Sequence, residues 1–150
     1  MTTIENYDNL YAMYRKAAGM TQERAAELLG VAVRTLQAWE RGERDVPSLR
    51  VLRMCDIYGN NTLAIEHLRF SNVIASDILP PVRAMPVAQA VCALIAQMRR
   101  IEELHTGDRL LDIAADGKID EIEKPDYDRL LIELEPLIGA VLSLKYAREG

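Results

Sequence analysis

The chain has 150 residues, with 18 Lys and Arg against 23 Asp and Glu, for a formal net charge of −5. Apolar residues make up 49% and aromatics 5%, enough for a packed core and too apolar for a compositionally disordered chain. No apolar run approaches the roughly 18 residues of a membrane helix, and the opening MTTIENYDNL lacks the basic, apolar and small-residue order of a secretory signal. Cys55 and Cys92 stand far apart in no metal-like spacing and read as reduced thiols, so the expected location is cytoplasmic. Taken whole, the acidic balance speaks against nucleic acid as a partner. Its distribution does not: residues 1–70 carry nine basic and nine acidic groups, while residues 71–150 carry nine and fourteen. The entire excess belongs to the second half, a sign of two modules with different partners.

In chain order, the punctuation predicts helices almost throughout. A first helix runs Tyr7–Ala18 with Gly19 as its stop, and Thr21 opens a second, Gln22–Leu29, ended by Gly30. A third spans Val33–Arg41 before Gly42, a fourth begins at Pro47-Ser48 and ends at Tyr58 before Gly59, and Thr62 caps a fifth, Leu63–Phe70. Residues 71–86 hold three of the six prolines and no period, which predicts a linker. From Val87 a long pattern follows, with Val87, Val91, Leu94, Met98 and Ile101 at alternating steps of four and three. It can be extended past Thr106-Gly107 to Ala114, which would give about 42 Å of unbroken helix. A last helix is predicted over Pro125–Ala147, with Tyr127, Leu130, Leu134, Leu137, Val141 and Leu144 as its stripe and Pro136 as a kink near Glu135. The expected fold is therefore all-α: a five-helix domain over 1–70, a linker over 71–86, and a long antiparallel helical hairpin over 87–150.

The most informative stretch is Thr21–Pro47, TQERAAELLGVAVRTLQAWERGERDVP. A helix-turn-helix needs a small residue where its helices cross, a glycine at the turn, and apolar residues that hold the second helix on the first. Ala26, Gly30, and the set Leu29, Val31, Leu36 and Trp39 supply these. Val33, Arg34, Gln37, Ala38 and Arg41 are left for the outer face, free to enter a major groove. Residues 11–58 thus resemble the lambda-repressor-like (Cro/repressor, or XRE) helix-turn-helix family, and the likeness extends over five helices from about residue 6 to 70.

That resemblance implies roles. Thr21 and Gln22 would meet a phosphate at the positive end of the second helix. Arg34 and Gln37 would donate to base edges, with Val33 and Ala38 against a thymine methyl. Arg41, Arg44 and Arg15 are the further phosphate-contact candidates. Trp39 is expected in the core. The turn departs from the family at Ala32, where Ser or Thr often caps the recognition helix. Residues 11–58 hold eight basic and six acidic groups, a modest balance that predicts dependence on specific, dimeric contact. A helix-turn-helix retained only as a protein-binding bundle is the competing reading of the same residues.

Asp112, Asp116, Asp120 and Glu123 nearly match an EF-hand loop, but Ala114 stands where an oxygen ligand belongs. The preferred reading is a turn in which Gly117 stops one helix while Asp120 and Glu123 form a capping box, so no metal and no cofactor are expected. No small-molecule ligand is evident. Only two histidines occur, His67 and His105, with no phosphate loop or nucleophile-and-base set, so no enzyme is expected. The acidic helical tail resembles those of phage and prophage regulators. The sequence thus predicts a transcriptional regulator that binds double-stranded DNA at an inverted repeat as a homodimer held by residues 87–150, with an antitoxin-like or scaffold protein as the alternative.

Overall fold

The computed structural model describes residues 10–149, and these are helical with a single isolated bridge between Pro86 and Arg148. The start expected at Tyr7 lies outside the described residues. The chain divides into two compact units, one ending at Leu79 and the other beginning at Pro80. Among the described residues no helix is long and apolar enough to cross a membrane.

The first unit contains α1 (Leu10–Ala17), α2 (Gln22–Leu29), α3 (Val33–Glu40), α4 (Ser48–Tyr58), α5 (Thr62–Ser71) and α6 (Val73–Ile78). Its core gathers one residue or more from each of the first five: Leu10 and Tyr11, Ala25, Ala26 and Leu29, Leu36 and Trp39, Val51, Met54 and Cys55, and Leu63. Gly30 ends α2 at φ 65°, a conformation in which L side chains are strained, and this sets the sharp turn into α3. Arg50 on α4 donates to the Leu29 carbonyl at 2.7 Å, satisfying an orphan acceptor at the same helix end.

Two local features differ from expectation. Thr62 is buried inside α5 rather than capping it. The Asn60 amide oxygen accepts from the Thr62 backbone N–H, and Tyr14 Oη lies 2.8 Å from Thr62 Oγ1. The stretch read as a linker contains α6, because Asn72 Oδ1 accepts from the backbone of Ile74 and Ala75 and so nucleates a turn.

The second unit contains α7 (Val87–Glu103), α8 (Thr106–Ile113), a 3₁₀ turn at Ala114–Asp116, and α9 (Lys124–Lys145). The continuous helix through Gly107 is not formed. The break falls at His105, whose φ of 51° is left-handed, while Gly107 lies inside α8. Such a backbone is disfavoured for a side chain bearing a Cβ, and what holds it is the docking of α8 on α9. Thr106 is fully buried with its hydroxyl 3.1 Å from Glu133, and Arg109 pairs with Asp126 at 2.9 Å and Glu133 at 3.5 Å. α9 runs unbroken across Pro136, which is exposed. The bonds Val87 N–H to Arg148 O and Arg148 N–H to Met85 O tie the end of α9 to the start of α7, so the two helices are antiparallel.

A candidate DNA interface on α2 and α3

α2 and α3 are built as a helix-turn-helix by local rules. Thr21 caps α2 through its hydroxyl, which accepts from the Arg24 N–H at 3.2 Å. Ala32 begins α3 with no side-chain cap, so its first N–H groups are left to solvent or to an anion. Leu36 and Trp39 turn inward at 0% and 5% exposure, which leaves the outer side of α3 to the residues between them.

The structure brings most of the candidate site residues together. Arg34 is exposed and makes no bond among the described residues. Ala38 and Val33 are half-buried, and Val33 rests on the core. Arg34, Ala38, Arg41 and Arg44 share one shallow depression with Ala32, Thr35 and Glu43. Within it Arg41 pairs with Glu43 at 2.8 Å, an exposed contact of little energetic weight. Arg44 is exposed and unpaired among the described residues.

Gln22 and Gln37 meet directly. The Gln37 amide donates to Gln22 Oε1 at 3.1 Å, and Gln22 in turn donates to Glu40 Oε2 at 2.8 Å. Glu40 accepts from Arg15 Nε at 2.5 Å and Nη2 at 3.0 Å, and Arg15 Nη1 donates to the Met20 carbonyl at 2.7 Å. A chain of side-chain bonds therefore runs from the buried interior to the start of α2 and the face of α3.

Arg15 is the one candidate the structure removes. It is 6% exposed, and three of its five N–H donors are held by Glu40 and the Met20 carbonyl, so burial keeps it from reaching a phosphate. Its pKa is raised, chiefly by the hydrogen bond to Glu40. Glu40 is the residue the sequence reading missed. The available signal was spacing: Arg15 follows Tyr11 by four, Glu40 follows Leu36 by four, and each carries an unlike charge onto an inward stripe.

Elsewhere the titratable candidates are explained by packing. His67 is 7% exposed with Nδ1 2.8 Å from Tyr11 Oη, and burial pushes its pKa down. Tyr58, whose hydroxyl is buried without a partner, has its pKa pushed up to about 12 by burial and by the charge of Glu40. In the acidic loop, Asp120 Oδ1 accepts from the N–H groups of Ile122 and Glu123 at 2.8 Å, and Glu123 Oε2 accepts from Asp120 N–H at 3.2 Å. These are the reciprocal bonds of a capping box. Asp116 Oδ1 is likewise taken by the Lys118 N–H, and no group of three metal-ligating residues assembles among the described residues.

No curated protein and no solved structure matches the chain. The family model described as helix-turn-helix matches residues 12–63, the span that holds α2, α3 and α4 with most of α1. That match, on a segment with this geometry, shows residues 12–63 to be similar to the helix-turn-helix family.

Proposed function

We propose that the chain is a sequence-specific transcriptional regulator of the phage or prophage kind, which binds an inverted-repeat operator as a homodimer. Residues 1–70 read the DNA, residues 71–86 connect, and residues 87–150 hold the dimer. The observation that carries the reading is the outer side of α3 together with the turn that follows it. Arg34 and Arg44 are exposed and unpaired among the described residues, beside a glutamine pair anchored from the interior.

Arg34 and Gln37 act on base edges, and Val33 and Ala38 offer apolar contact to a thymine methyl. Thr21, Gln22, Arg41 and Arg44 meet phosphates, with the Thr21-capped start of α2 contributing its positive dipole end. In binding, Arg41 exchanges its exposed contact with Glu43 for a phosphate, at small cost because both side chains are already hydrated. One such module covers too little DNA for tight binding, whereas two on a two-fold axis span half-sites about 34 Å apart.

A salt titration on a palindromic duplex tests the reading. Each neutralised phosphate adds about 0.9 to the negative slope of log affinity against log salt, so a steep slope is expected. Arg44→Ala should reduce it by about 1 per module while leaving sequence preference intact. Affinity that ignores salt, or absent DNA binding with retained binding to a protein partner, would favour the protein-binding alternative.

A further inference from the structure

The bonds that join the interior to α3 run in one direction. Glu40 is 5% exposed, and its carboxylate accepts from Nε and Nη2 of Arg15 at 2.5 and 3.0 Å. An ionised carboxylate accepts hydrogen bonds and cannot donate them. Gln22, which meets Glu40 Oε2 at 2.8 Å, must therefore turn its amide nitrogen inward, and its Oε1 is left to face α3. Gln37 meets that oxygen at 3.1 Å and must in turn present its own nitrogen. The two ends of a primary amide are nearly identical in shape, so only the bonding partner decides which way each one points. One buried charge thus sets the orientation of two amides, the second of them 15 residues from the first and on the helix that carries Arg34.

We propose that Glu40 is a positioning residue for base recognition: acting through Gln22, it holds Gln37 with Oε1 and one N–H free for a base and excludes the reversed amide. The inference rests on the reading of α3 as the DNA-reading face. A Gln37 amide directed in this way satisfies a base edge that offers one donor and one acceptor in matching order. Against the two acceptors of guanine, Oε1 would face a lone pair and leave an unmet hydrogen-bonding group in the interface. Without the relay the Gln37 amide turns over at little cost and meets several edges about equally well. Discrimination at its base pair therefore depends on a carboxylate that is itself buried too deeply to touch DNA.

The test measures base preference with the full-length chain. Selection from a random duplex library gives the wild-type half-site, and the position at which Gln37→Ala loses its preference is the one Gln37 reads. Competition among the four duplexes at that position is then measured for two single variants. Glu40→Gln keeps an acceptor for Arg15 but can also donate, and Gln22→Leu cuts the relay while leaving the Arg15 pair in place. Each is expected to cut discrimination there on the order of tenfold and to leave the position read by Arg34 unchanged. The double variant Gln22→Glu, Glu40→Gln moves the acceptor-only group one step along the chain, so Gln37 must again present its nitrogen. Its overall affinity falls because a carboxylate now stands near phosphates, but its discrimination at the Gln37 position is expected within about threefold of the wild type. Should either Glu40 variant lose the buried Trp39 fluorescence of the folded unit, Gln22→Leu alone decides. Folded single variants that keep the wild-type preference, or a folded double variant that does not regain it, overturn the positioning role and leave DNA reading standing. A Gln37→Ala protein that loses preference nowhere overturns the inference, and a wild type that enriches no sequence overturns the reading beneath it as well.

Discussion

Removing Glu40 should unfold the first unit far more readily than its place near the edge of α3 suggests. Its carboxylate accepts three bonds, two from Arg15 and one from Gln22, and both members of the ion pair are almost wholly buried, with side-chain exposures of 8% and 4%. Glu40→Ala leaves the Arg15 guanidinium buried without a counter-charge, which costs about 3–5 kcal/mol. For a unit of this size that corresponds to a fall in Tm of roughly 15–30 °C. The single tryptophan, Trp39, adjoins Glu40 and is 5% exposed, so its fluorescence during denaturant unfolding reports on this unit directly. The companion double variant Arg15→Met, Glu40→Leu replaces the pair with apolar groups and should recover most of the loss, since no charge is then stranded. A cost under about 1 kcal/mol for Glu40→Ala, or a double variant no better than the single one, would refute the assignment of the pair as the interior anchor of the site.

Other consequences follow from the same geometry. Gln22→Ala takes away the acceptor that orients Gln37, and should lower operator affinity by about 1–3 kcal/mol with less than about 1 kcal/mol lost in unfolding experiments. Arg34→Ala and Gln37→Ala should each relax base preference at one operator position by a similar amount, measured by competition against mismatched duplexes. His67 is held below its ordinary value of 6.5, so the unfolded chain binds its proton more readily than the folded one. Stability is thus full above pH 6.5 and falls as pH drops through the lowered folded value, at no more than about 1.4 kcal/mol per pH unit. His67→Gln should flatten that segment of the stability profile. Tyr58→Phe removes a buried hydroxyl that has no partner, and should leave stability unchanged or raise it by up to about 1 kcal/mol in the same fluorescence assay.

The elements legible in the sequence were those set by local rules. Gly30 and Gly59 end α2 and α4 in the left-handed conformation, and the step from Thr21 to Arg24 marks a cap without any tertiary knowledge. Apolar spacing placed Leu36 and Trp39 inward for the same reason. What escaped were features decided by contacts distant in sequence. Nothing near Arg15 announces that Glu40, 25 residues on, will absorb its donors, and a basic residue close to a helix-turn-helix reads naturally as a phosphate contact. The break at His105 is similar, because Gly107 looks like the weak point while the docking of Thr106 and Arg109 on α9 decides where the chain turns. The short α6 was concealed by its length, since six residues carry too little periodicity to register. The candidate site is therefore half local: α3 and its outward residues are read from spacing, whereas the support beneath Gln22 and Gln37 exists only in the fold.

The central claim is that the exposed side of α3 reads DNA sequence at two symmetric half-sites. The most direct measurement is selection of bound duplexes from a random library by the full-length chain. The expected result is an enriched inverted repeat with half-site centres one helical turn, or a multiple of about 10 base pairs, apart, lost in Arg34→Ala, Gln37→Ala protein. A library that emerges unenriched at low salt, or one enriched equally by that variant, would contradict it.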